Sequence, residues 1–169
     1  MPPESIEITP ATEHDVPVIL RLIKALAEYE HLTHEVQATE EGLRVSLFGP
    51  RPAAEVVLAR VEGQPVGFAV YFHNYSTFVG RPGLYLEDLF VLPEYRRQGI
   101  GRRLLAHVAS IAVERNCGRM EWAVLDWNEP ALRFYQSLDA RQMKEWIIHR
   151  LTPVEIARLA AETTSGEAS

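Results

Sequence analysis

Tyr85 to Leu105 reads YLEDLFVLPEYRRQGIGRRLL. An apolar run carries two adjacent carboxylates, Glu87 and Asp88, reaches a proline, and then breaks into Arg96-Arg97-Gln98-Gly99-Ile100-Gly101. The run from Leu84 to Leu92 predicts a strand that Pro93 stops. From Gly101 the period changes, and Leu104, Leu105, Val108, Ile111 and Ala112 form a helical stripe. Gly118 ends that helix and MEWAVL, residues 120–125, is the next strand. Strand, glycine turn, helix and strand make a βαβ unit, which expects parallel pairing of its two strands.

Upstream, IEIT (Ile6–Thr9) reads as a first strand, and Thr12 with Asp15 makes a capping box for a helix running to about Leu32. A second helix is expected from Thr39 to the Gly49-Pro50 break. EVVLARVEGQPVGFAVYFHNY is two strands around Glu62-Gly63-Gln64-Pro65, so an antiparallel meander precedes the βαβ unit. Downstream, Asn128-Glu129-Pro130 opens a helix, EWIIHRL (145–151) reads as a last strand, and Pro153 suits the first turn of a short helix. The expected fold is α/β: one domain over residues 1–152 with a mixed, mostly antiparallel central sheet and helices on both faces. Residues 153–169 are expected to be a tail, a short helix and then disorder.

The 169 residues suffice for one core and not for two comfortable ones. A net charge of −6 argues against non-specific nucleic-acid binding and suits a cationic ligand. The single cysteine, Cys117, makes no internal disulfide, which favours a reducing compartment. With no signal peptide and no apolar run of membrane-spanning length, a soluble cytoplasmic protein without a membrane partner is expected. His31 and His34 gather no further ligands in sequence, so no metal is expected.

The turn at Arg96–Gly101 has the chemistry of an anion site. Glycines let the backbone approach a ligand, and the free N–H groups of a helix start suit a pyrophosphate. Arg96, Arg97 and Arg102 add charge. A P-loop would need Lys-Ser/Thr where Arg102-Arg103 stand, and the dinucleotide fingerprint needs glycine where Leu104 stands, so both are excluded. A plain glycine turn remains the alternative. For the carboxylates, strict alternation sends Tyr85, Glu87, Leu89 and Val91 to one face and Leu86, Asp88, Phe90 and Leu92 to the other. That arrangement is not the paired carboxylates of a glycosidase, and a structural salt bridge is the alternative to a catalytic role.

Arg96-x-x-Gly99-x-Gly101 resembles the acetyl-CoA pyrophosphate motif of the GNAT N-acetyltransferases. With ILRLIKALAEYE, YSTFVGR, YLEDLFVLPEYRRQGIG and AVLDWNEPALRFY in order, the resemblance is closest to the spermidine/spermine and thialysine branch and spans most of residues 6–150. It implies acetyl transfer from acetyl-CoA to a primary amine of a small cationic acceptor such as a diamine, polyamine or thialysine-like amino acid. Glu87 falls at the position of the proton acceptor and Tyr135 at that of the general acid, although a tyrosine in RFYQSL alone would be read as core. The implied cofactor contacts are the backbone of Leu89, Phe90 and Val91, the turn Arg96, Arg97, Gln98, Gly99, Ile100, Gly101 and Arg102, and Asn128, Glu129, Pro130 and Ala131. Tyr29, Glu30, Glu87 and Asp88 are the implied amine contacts, and a homodimer is implied. Ser76 stands where the spermidine/spermine enzymes carry aspartate, a feature shared with the thialysine branch. Asp139 stands where glycine is usual, and is expected to turn left-handed. The rival readings are acetylation of another amine, on a protein N-terminus or an antibiotic, and a non-catalytic CoA-binding sensor.

Overall fold

Thr12 and Asp15 set the chain's first helical segment. The Thr12 backbone N–H and hydroxyl both donate to the Asp15 carboxylate, at 2.9 and 3.3 Å. A 3₁₀ turn at Glu13–Asp15 then leads into α1, Val16–Tyr29. Asp15 also accepts from Arg60 at 2.8 Å, tying this helix start to the sheet. The helix stops earlier than Leu32 because His31 turns left-handed at φ 60° and the Leu32 N–H closes onto the Ala27 carbonyl at 2.8 Å.

The computed structural model describes residues 5–165. They divide into two compact units, the second beginning at Trp127. The first unit holds β1 (Ile6–Pro10), α1, α2 (Glu40–Phe48), β2 (Glu55–Val61), β3 (Gln64–Ser76), β4 (Arg81–Val91), α3 (Ile100–Glu114) and β5 (Met120–Trp122). The strands form one sheet in the order β1-β2-β3-β4-β5, antiparallel except for the parallel β4–β5 pair. The mixed, mostly antiparallel sheet is therefore the expected one.

Ile19 and Leu22 of α1 are buried against Val56, Leu58, Phe68, Val70 and Phe90, with Leu43 and Leu47 of α2 beside them. Each such apolar side chain contributes about 1.5–3 kcal/mol of burial. The other face takes α3. A side chain at Gly67 would meet the Phe90 carbonyl oxygen of β4 at 2.8 Å, so the approach of the strands there needs a glycine, and Leu104 Cδ1 of α3 packs above at 3.4 Å.

The second unit holds α4 (Glu129–Gln136), α5 (Pro153–Ala160) and α6 (Glu162–Ser165). Thr152 and Glu155 cap α5 reciprocally, with Pro153 in its first turn. The disorder expected for the end of the tail falls partly on residues 166–169, which lie outside the described residues. The expected strand at 145–151 does not form, and Trp146, Ile147 and Ile148 are each more than 70% exposed. Three consecutive apolar residues give no single buried face, and β-propensity acts only through a neighbouring strand to pair with.

Candidate active site

The two carboxylates of β4 are where the ladder slips. Val70 on β3 pairs with Asp88, but the next residue, Tyr71, pairs with Leu86, so Glu87 is the extra residue of a β-bulge. Neighbours Val70 and Tyr71 point to opposite faces, and therefore so do Asp88 and Leu86. This corrects the strict alternation expected from sequence. Val70 belongs to the core under α1, so Asp88 joins Phe90 on the α1 face, and so does Tyr85, the partner of Phe72. The Phe72 and Tyr85 rings are 5.1 Å apart.

Glu87 is exposed and Asp88 is half-buried. Burial raises the Asp88 carboxyl to about 7, and the charges of Glu87 and Glu30 add to the rise. Burial likewise raises Tyr85, helped by Glu87 and Glu121. Glu30 comes from the C-terminal end of α1, and its own carboxyl is raised by burial. Glu30 and Glu87, two of the residues expected to meet an amine, are thus both within electrostatic reach of a third, Asp88.

Tyr29, the fourth, packs on Phe90 with ring centroids 6.3 Å apart. Arg96 lies over both rings, 4.4 Å from the Tyr29 centroid and 5.3 Å from that of Phe90, and its Nε donates to the Val91 carbonyl at 2.9 Å. In the fold Arg96 is a clamp between α1, the end of β4 and the loop beyond. Sequence reasoning had assigned it to an anion and missed this stack.

That loop ends in the glycine turn. Arg97 and Gly99 are left-handed, at φ 63° and 77°, and Gly99 caps α3. Ile100 is buried and anchors the helix start, while Arg97, Gln98 and Arg102 are exposed. Neither arginine makes an ion pair with a described residue. The N–H of Arg103 is bonded to the Gly99 carbonyl at 3.0 Å, so those of Ile100, Gly101 and Arg102 precede the intrahelical ladder. Gly101 has no internal reason to be glycine. A side chain there would meet only Val91 Cγ2, at an ordinary 3.9 Å, and its φ is not left-handed. Free amides, exposed arginines and a glycine kept without a packing need suit a pyrophosphate.

The open edge of β4 continues the same site. Leu92 donates to Val66 of β3 at 2.9 Å, so Val91 and Leu89 direct their amides the other way, toward the side where β5 pairs only with Leu84 to Leu86. Phe90, expected to share this role, turns its amides to β3. Ser76, at the end of β3, is buried and spends its hydroxyl on the Val79 N–H at 3.2 Å. It is a turn residue and offers nothing to a distant ammonium. A cavity of about 370 Å³ lies apart from these residues, between Phe48, Glu55, Tyr71 and the C-terminal half of α3.

In the second unit, Asn128 caps α4 by accepting from the Ala131 N–H at 3.4 Å. Pro130 sits in the first turn, and Glu129 pairs with Arg133 at the surface, 3.6 Å away. Tyr135 is half-buried beside Phe134, with ring centroids 5.5 Å apart. Asp139 is left-handed at φ 60°, as expected for the residue in the place of glycine, and the Ala140 N–H returns to the Tyr135 carbonyl at 3.2 Å.

Residues 20–139 match the profile of the Acetyltransferase (GNAT) family. The chain belongs to that family. This acetyltransferase is 40% identical to a thialysine N-epsilon-acetyltransferase from Mus musculus, over 92% of this chain and 98% of the relative. It is 35% identical to L-ornithine N5-acetyltransferase NATA1 from Arabidopsis thaliana, over 84% and 82%. Among solved structures, an integron cassette protein from the mobile metagenome of V. cholerae superposes with a TM-score of 0.77 at 28% identity, covering 92% of this chain and 98% of that one. GNAT acetyltransferases take their acetyl group from acetyl-CoA.

Proposed function

We propose that this acetyltransferase acts on a primary amine of a small cationic acceptor, a diamine or a thialysine-like amino acid. One observation supports the acceptor class: Asp88, on the α1 face of β4, is half-buried within electrostatic reach of both Glu30 and Glu87. Three carboxylates with no arginine or lysine partner among the described residues favour an ammonium ligand. The similarity to thialysine and ornithine acetyltransferases supports the same class. Ser76, turned into its own hairpin, supports a short acceptor over spermine, whose further ammoniums lack a counter-charge there.

In this reading the Arg97–Arg102 turn holds the cofactor pyrophosphate, and the amides of Leu89 and Val91 pair with its extended arm. Asn128, Glu129, Pro130 and Ala131 supply the remaining cofactor contacts. Acetyl-CoA supplies the thioester carbonyl that the amine attacks. An ammonium with a lysine-like pKa of about 10.4 must first lose a proton, which Glu87 accepts directly or through a water. Tyr135 holds the proton that the departing sulfur takes. A cytoplasmic homodimer completes the reading, and light scattering of the purified protein tests the dimer.

The test of function is release of CoA from acetyl-CoA over a panel of amines. Thialysine, ornithine and short diamines are expected at the top, with spermine lower. An aminoglycoside or a peptide N-terminus at the top would replace the acceptor, and no turnover with any amine would favour a CoA-binding sensor.

A further inference from the structure

The cavity of about 370 Å³ has no part in the reaction proposed above. Its walls are the start of β2, Tyr71 of β3, the end of α2 and the second half of α3, from His107 to Arg115. The glycine turn lies at the other end of α3. Val70 packs under α1, so its neighbour Tyr71 points to the opposite face of the sheet, where α3 lies.

Leu47, Phe48, Val57 and Ile111 give the cavity an apolar lining, and Tyr71 gives it a buried polar group. Tyr71 is only 3% exposed, yet its hydroxyl makes no hydrogen bond with a described residue. Among the described residues, every side-chain nitrogen or oxygen fully shut off from the surface has a partner. The unbonded phenol oxygen is therefore accessible, and the cavity is the space that it lines. Burial raises the phenol above its ordinary value, and the charge of Glu55 adds to the rise, so the group keeps its proton and can donate.

The charges beside this phenol are already matched. Glu55 accepts from both terminal nitrogens of Arg115, at 2.6 and 2.9 Å, and Glu114 is exposed to solvent. A charged head seated against Tyr71 would have to break the Glu55–Arg115 pair or give up hydration without a counter-ion. A neutral head has only to exchange water for the phenol. The volume falls in the range of small-molecule sites, about 300–1,000 Å³, and exceeds the roughly 150 Å³ that encloses a benzene ring.

We propose that this cavity binds a small uncharged molecule with a ring-sized apolar body and one hydroxyl or amide head, the head bonding to Tyr71. The site is independent of the acceptor class proposed above. The experiment is an amide NMR titration of the full chain, saturated with CoA, with 2-phenylethanol as the probe. Saturable shifts are expected at Glu55–Val57, Tyr71 and His107–Arg115. Tyr71→Phe keeps the ring and should weaken binding about three- to tenfold, the worth of one hydrogen bond. Ile111→Trp fills the cavity from α3 and should abolish binding, and Tyr71→Phe carries the test if that variant does not fold. Phenylacetate and benzyltrimethylammonium, with an anionic and a cationic head on the same ring, should bind at least about tenfold more weakly.

No saturable shift at these residues, or shifts centred on the glycine turn and the β4 edge, overturns the site. Unchanged affinity in Tyr71→Phe or in a folded Ile111→Trp does the same. Equal or tighter binding of either charged compound overturns the ligand class.

Discussion

The glycine turn before α3 and the bulge in β4 lie on one chain segment, Glu87 and Gly99 twelve positions apart, and in the proposed reading they handle opposite charges. At the turn, Gly99 is left-handed and the helix start offers amides that already lack partners, so attracting an anion requires no buried charge. At the bulge, one carboxylate is held half-buried beside two others, and folding works against its ionisation. The anion side is built from backbone and is nearly free of electrostatic cost. The carboxylate side is built from like charges held near one another, and holding Asp88 ionised there costs stability.

The sharpest break in that contrast is Gly99→Glu. It places a carboxylate and a strained left-handed side chain at the cap of α3, and acetyl-CoA affinity should fall more than about 100-fold in calorimetry. Retained affinity would show that the turn is only a turn. Tyr135→Phe touches neither side of the comparison and should reduce kcat by about 10² to 10⁴ with acetyl-CoA affinity within a few-fold, as expected for loss of a general acid. Full activity at neutral pH would assign the sulfur's proton to water.

Glu87→Gln probes the bulge itself. Turnover on the best amine should drop about 10²-fold at pH 7 and progressively less toward pH 9, where more free amine is present. Parallel pH–rate profiles for the two proteins would remove Glu87 as the proton acceptor. The smallest effect is on stability. Asp88 binds its proton more tightly folded than unfolded, so its cost is absent below about pH 4 and complete above about pH 7. Asp88→Asn should therefore stabilise the protein by about 2 kcal/mol at pH 8, allowing for solvent screening, and by little at pH 4. Urea unfolding at the two pH values measures the difference, and equal stabilities at pH 8 would place Asp88 in water.

Much of this was readable in the residues. The period change at Gly101, the Glu62-Gly63 hairpin and the order of strands and helices through Asn128-Glu129-Pro130 each have a local cause, a glycine, a proline or an apolar stripe. The bulge does not. Its location depends on how Val70 and Tyr71 of another strand meet β4, although the pair Glu87-Asp88 in an apolar run marked the place where alternation was under strain. The stack of Arg96 on Tyr29 and Phe90 was hidden for the same reason, since it joins residues 67 positions apart. Residues 145–151 failed in the opposite sense. Their composition is that of a strand, but composition carries no information about an available neighbour.

The Arg96 clamp limits how the enzyme's choice of amine can be re-engineered. Tyr29 is both a wall of the amine site, in the proposed reading, and the surface on which Arg96 rests before the chain enters the glycine turn. Replacing Tyr29 by a smaller residue to admit a bulkier acceptor would loosen the loop that presents the cofactor turn, so acceptance of a new amine would come with weaker hold on the acetyl donor. Glu30, one residue further and outside the stack, is the position where selectivity can be changed with the donor side left intact.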